Sequence, residues 1–224
     1  MPGESFVYLG DTARLPYGTK SPQTVRRYAE QAAAHLVARD VKMIVIACNT
    51  ASAVAVEHLR ARLTPVPVLG VIVPGARALC AATTTKKVAV LATPGTVSGG
   101  AYEAAIAKIE PSATVTSLAC ALFVSLAEEG WANGPVAAAA VQAYLQPLIS
   151  PETGGPTVDA LVLGCTHFPI LRGAVETFLG PNVTVVDSAG TTARAVQAEL
   201  RIRGLTTGSA QGNVRFLATD EPRR

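Results

Sequence analysis

The chain has 224 residues, 49% of them hydrophobic and 16% charged, with a formal net charge of +3. This is enough for one large or two small packed domains, and it excludes a disordered chain. Lys and Arg form no basic block, so the clustered footprint of a nucleic-acid binder is missing, and Arg223 and Arg224 read as a solvated terminus. No apolar run approaches the roughly 18 to 20 residues that cross a bilayer. Residues 1–5 lack the basic and apolar regions of a secretory leader, so a cytoplasmic protein without membrane contact is expected.

A first strand is expected at 6–10, ending in Gly10-Asp11-Thr12 and followed by a loop through Pro16-Tyr17-Gly18. A helix then spans 21–39, opened by Ser21 as N-cap and Pro22 at the first helical position. Strand and helix alternate from there: strand 42–47, helix 51–63, strand 66–71, helix 74–82, strand 87–92. The turn Thr93-Pro94-Gly95-Thr96 precedes a helix at 98–109, a strand at 114–118 and a helix at 135–149. Residues 150–157 are loop by composition. Strand 159–164, helix 169–179, strand 183–187, helix 190–203 and a last strand at 214–217 complete the chain. Most strands are unbroken apolar runs, as in parallel sheets covered on both faces, so the fold class is α/β.

Two segments share a shape. Met43-Ile44-Val45-Ile46-Ala47-Cys48-Asn49-Thr50 and Ala160-Leu161-Val162-Leu163-Gly164-Cys165-Thr166-His167 each run from an apolar strand through a small residue to Cys and two polar residues, then to a helix. Two such units suggest two similar halves meeting at a cleft. A strand-end cysteine is more often a buried, inert thiol than a reactive one. Two in matching contexts weaken that reading, because a helix N-terminus draws a thiol's pKa down and its N–H groups cradle a carboxylate. Cys80, in an apolar helix, and Cys120, without polar neighbours, read as packing. His167 is placed to exchange a proton with a neighbouring thiol, whereas His35 and His58 carry no motif. No Cys-x-x-Cys pair points to a metal.

The motifs occur in a telling order: Gly-Asp-Thr-Ala-Arg-Leu-Pro-Tyr-Gly (10–18), Ala-Cys-Asn-Thr-Ala-Ser (47–52), Ala-Thr-Pro-Gly-Thr (92–96), Leu-Phe-Val-Ser-Leu-Ala-Glu-Glu-Gly (122–130) and Leu-Gly-Cys-Thr-His-Phe-Pro (163–169). Together they resemble the glutamate racemase family along nearly the whole chain. The resemblance implies a two-base reaction without pyridoxal phosphate or metal, supplying D-glutamate for peptidoglycan. Cys48 would take the α-proton from D-glutamate and Cys165 would return one on the other face, with His167 assisting. Asp11 and Glu128 match acidic positions of the family that act indirectly. Pro16, Tyr17, Gly18, Asn49, Thr50, Thr93, Thr96 and Thr166 match its substrate-binding positions. A homodimer is expected.

The resemblance also sets two domains, 1–72 with 188–224 and 73–187, with the site in the cleft between them. The family opens with a strand and a Phe-Asp-Ser-Gly-x-Gly-Gly-type loop that has no counterpart here. Its Asp would help the first cysteine and its Ser would bind substrate. The expectation is either a start farther upstream or a truncated form, with exposed sheet edges as the cost. The family's final helix after 214–220 is likewise missing. A truncated form would keep a binding role, for which DNA gyrase is the partner the family suggests; a racemase of another acidic amino acid is the other alternative.

Overall fold

The computed structural model describes residues 1–220. Strand β1 (Phe6–Gly10) runs into two short 3-10 turns, Thr12–Arg14 and Tyr17–Thr19, before helix α1 (Pro22–Val37). As its sequence predicts, α1 starts where the Ser21 side chain accepts from the Thr24 N–H and proline opens the first turn. Next come β2 (Ile44–Ile46), α2 (Asn49–Arg62), β3 (Val68–Gly70) and α3 (Ile72–Ala82). Strands β2 and β3 pair in parallel. Ala29 and Ala33 of α1, a turn apart, close a small core with Ile44, Ala55, Leu59 and Val68. Alanines here let the two helices approach both each other and the strands.

The remaining elements are β4 (Lys87–Ala92), α4 (Pro94–Ser98), α5 (Ala101–Ile109), β5 (Thr114–Ala119), α6 (Leu122–Glu128) and α7 (Pro135–Leu145), followed by β6 (Ala160–Gly164), α8 (Arg172–Leu179), β7 (Thr184–Asp187), α9 (Ser188–Ile202) and β8 (Val214–Ala218). Four of these strands form one parallel sheet in the order β5-β4-β6-β7. Its two central strands are buried throughout, except at Lys87. Side chains alternate between two cores, as period-two geometry requires. Ala89, Leu91, Leu161 and Leu163 join Phe123, Leu145, Phe168 and Leu171 on one face. Val88, Val90 and Val162 join Leu79, Tyr102 and Ile106 on the other. Each such leucine or phenylalanine contributes about 1.5–3 kcal/mol by leaving water.

The structure departs from the sequence reading at several places. The helix expected at 98–109 starts only at Ala101, after Gly100, whose φ of +60° is left-handed and suits glycine, and a separate short helix, α4, occupies Pro94–Ser98 where a turn was expected. Helix α6 was not anticipated: at seven residues it is too short for a clear helical period. The helix expected to 149 ends at Leu145, and a 3-10 turn follows because Pro147 lacks the N–H that a continuing helix needs. The strands expected at 42–47 and 66–71 shrink to three residues each, and α9 begins at Ser188, where the Asp187 side chain accepts from the N–H groups of Ala189 and Gly190.

Coverage on both faces also fails for part of the chain. β1 pairs in parallel with β8 and β2 with β3, yet these are two separate two-stranded sheets. Tyr8 is 56% exposed and Phe216 75%, their rings 5.9 Å apart across the β1–β8 ladder. Lys42 fastens this edge by an ion pair to Glu4 (2.6 Å) and a hydrogen bond to the Leu205 carbonyl (2.5 Å).

Candidate active site

In parallel α/β sheets, polar groups that handle ligands collect beyond the carboxyl ends of the strands. Asp11 directly follows β1, Cys48 lies just past β2, Thr93 follows β4 and Cys165 follows β6. Cys48 is the N-cap of α2, its sulfur accepting from the Ala51 N–H at 3.5 Å. Cys165 is placed differently from its expected twin. It leads into a 3-10 turn, Phe168–Leu171, so no α-helix dipole begins at this thiol.

Cys165 is 7% exposed, and its Sγ lies 3.7 Å from Nδ1 of His167. The other ring nitrogen, Nε2, stands 2.6 Å from Oε1 of Glu128 at the end of α6. An imidazole so held can accept the thiol's proton on one side while Glu128 stabilises the resulting charge on the other. The unanticipated helix therefore delivers the third member of a thiol–imidazole–carboxylate chain.

The expectation that helix termini lower the thiol pKa values does not hold. Burial pushes Cys165 up to about 11, partly opposed by the N–H of His167, and the charge of nearby Cys48 adds to the rise. Burial raises Cys48 as well, against N–H donation from Ala51 and Thr50. Desolvation of a thiolate outweighs a few backbone dipoles. Cys120 is fully buried, pushed up to about 12 by burial, and its S–H points to the Leu118 carbonyl; it is packing, as its surroundings suggested. Cys80 packs, partly exposed, against the second core.

Beside Cys48 lies a compact polar cluster. The hydroxyls of Thr50, Thr93 and Thr96 form a buried triangle with sides of 3.0, 3.2 and 3.1 Å. The 16–18 loop sits against it: a Cβ on Gly18 would lie 2.6 Å from Thr93 Cβ, so glycine permits the approach. Tyr17 donates its phenol proton to Asp11, whose carboxylate also accepts from Arg14 Nε (2.8 Å) and Thr219 Oγ1 (3.0 Å). Asp11 thus anchors the loop rather than bonding to a thiol. The Thr166 hydroxyl bonds to Cys165 and opposes the rise of its pKa.

One residue of this region escaped the sequence reading. Tyr102 of α5 is 1% exposed and donates to Oδ1 of Asn49 at 2.8 Å. The faint signal was a single phenol on the apolar face of a short helix.

Residues 1–196 match the family model for Asp/Glu/hydantoin racemases. The chain is 49% identical to a glutamate racemase of Geobacter metallireducens, over 99% of this chain and 80% of that one. It belongs to the glutamate racemase family. A second relative, from Syntrophus aciditrophicus, is 43% identical over 100% of this chain and 81% of its own. Among solved structures of the family, the glutamate racemase of Francisella tularensis in complex with D-glutamate superposes with a TM-score of 0.90 at 34% identity, covering 99% of this chain and 80% of that one. The glutamate racemase of Thermus thermophilus in complex with β-chloro-D-alanine gives 0.86 at 41% identity, with the same coverage of both chains. The family is one of amino-acid racemases, which are isomerases, and the α/β architecture with helix-flanked parallel sheets matches its two-domain structures.

Proposed function

We propose that this chain interconverts L- and D-glutamate with Cys48 and Cys165 as opposed acid/base groups. The reading is carried by the thiol–imidazole–carboxylate chain at Cys165, set close enough to Cys48 for one thiol's charge to act on the other. Inverting a carbon centre needs a base on one face and an acid on the opposite face. From D-glutamate, Cys48, its own proton first released to solvent, takes the α-proton as thiolate and becomes a thiol. The Cys165 thiol gives its proton to the other face of the carbanion and is left as thiolate. From L-glutamate the roles exchange: His167 first accepts the Cys165 proton, with its imidazolium held by Glu128, and the thiolate then removes the α-proton.

The substrate carboxylates take hydrogen bonds from Asn49, the threonine hydroxyls and the 16–18 loop. No pyridoxal phosphate or metal takes part in these steps. The two domains would be 1–72 with 188–224 and 73–187, and the D-glutamate made would serve peptidoglycan assembly in the cytoplasm. Incubating the protein with each enantiomer in D2O and following the α-proton by NMR tests the proposal. Deuterium should enter Cα of both with loss of optical rotation, and its absence from both enantiomers removes the racemase reading.

A further inference from the structure

Asn49 is 2% exposed, and its Nδ2 is buried with no hydrogen-bond partner among the described residues. A buried amide with one end satisfied and the other open is rare enough to need a reason. Its satisfied end is Oδ1, which accepts from Tyr102 at 2.8 Å. Because burial keeps this phenol protonated, Tyr102 can donate and so holds the amide oxygen. The NH2 group is then turned away from Tyr102 and left without a protein partner among the described residues.

The ring of Tyr102 is itself wedged. A Cβ on Gly75 of α3 would lie 2.9 Å from the phenol oxygen, and one on Gly164 would lie 3.0 Å from Cε2 of the ring. Gly164 immediately precedes Cys165, and Asn49 immediately follows Cys48. A single buried side chain therefore touches the neighbours of both thiols.

We propose that Tyr102 is a positioning residue for the racemase site: its phenol aims the Asn49 amide as a hydrogen-bond donor for a substrate carboxylate, while its ring supports the backbone under Cys165. This rests on the glutamate reading above. In its absence, the amide rotates and donor and acceptor ends exchange at no steric cost, so a carboxylate meets an oxygen as often as an N–H.

The test compares the wild type with Tyr102→Phe, Asn49→Ala, the double variant and Gly75→Ala, whose added methyl would displace the phenol without altering it. Tyr102→Phe should raise KM for both enantiomers about tenfold with kcat much less changed, and lower the thermal midpoint only by the few degrees that one lost buried hydrogen bond costs. Gly75→Ala should reproduce the KM effect. In the Asn49→Ala background, Tyr102→Phe should add almost nothing. An unchanged KM in Tyr102→Phe, or a full tenfold effect without the Asn49 amide, overturns the proposal. The side-chain NH2 signals of Asn49 in 15N-labelled protein, assigned by their loss in Asn49→Ala, give a readout independent of turnover. Tyr102→Phe should shift them and speed their exchange with water. If the wild type neither turns over nor binds glutamate, the functional reading fails, and unchanged NH2 signals would then sink the positioning role separately.

Discussion

His167 stands 2.6 Å from Glu128, across 39 positions of sequence, with the opposite edge of its ring facing the Cys165 thiol. That pairing makes the two thiols unequal. Cys165 has an imidazole to receive its proton, whereas the hydrogen bonds at Cys48 come from Thr50 and Ala51.

The two faces of the reaction should separate when one thiol is removed. Cys48→Ser should lower net inversion by about 10²–10⁴-fold yet still let Cys165 exchange the α-proton of L-glutamate with D2O, returning deuterium to the same face. Cys165→Ser should do the same for D-glutamate only. Chiral chromatography with mass spectrometry reads both. Full inversion surviving either change would exclude the two-thiol mechanism.

Glu128→Gln keeps the shape of the carboxylate and removes its charge. Loss of the anion that steadies the imidazolium should lower kcat/KM about tenfold or more. L- and D-glutamate are equal in free energy, so kcat/KM must fall by the same factor in both directions. Circular dichroism started from either enantiomer measures this, and unaltered kinetics would mark Glu128 as an idle surface carboxylate.

Burial of the Cys165 thiol ties stability to alkaline pH. Its pKa rises from an ordinary 9.0 to about 11 in the folded chain, so between these values the folded state retains a proton that the unfolded state releases. The stabilising effect is complete below pH 9 and is lost as pH rises towards 11, by about 1.4 kcal/mol per pH unit at most. Urea unfolding of wild type and Cys165→Ser at about pH 8 and about pH 10.5 should show the steeper alkaline loss in wild type. Parallel behaviour of the two proteins would contradict it.

Gly18→Ala places a methyl 2.6 Å from Thr93. The loop or the threonine must shift, and the hydroxyl triangle with it. Affinity for glutamate should fall about tenfold, as misplacement of a binding group predicts, with a smaller change in thermal unfolding. Isothermal titration with D-glutamate checks the loss, and wild-type affinity would show that the loop is not part of the binding surface.

How far these features could be read beforehand follows from their range along the chain. Ser21 and Pro22 announce α1 because capping is local, and the apolar run at 87–92 announces a central strand because burial on both faces leaves no alternation. Cys48 and Cys165 could be singled out since each closes such a run. Their ionisation could not, because desolvation depends on everything packed around the thiol, and it reverses the effect inferred from neighbouring amides. The link from Tyr102 to Asn49 spans 53 positions and leaves no periodic trace. Exposed Tyr8 and Phe216 look apolar enough for a core, and only strand pairing shows that they lie on a two-stranded edge.

The threonine triangle bears on what the site admits. Three hydroxyls bonded in a closed circle use one another as donor and acceptor, so none is idle. A guest must therefore break the circle to enter, trading a neutral bond for its own. A carboxylate oxygen gains by that exchange, since bonds to an ionised acceptor are roughly twice as strong as neutral ones. An amide or ester in the same place exchanges like for like and gains nothing. On the glutamate reading proposed above, selectivity for acids over their uncharged analogues would come from a lock that only charge is strong enough to open.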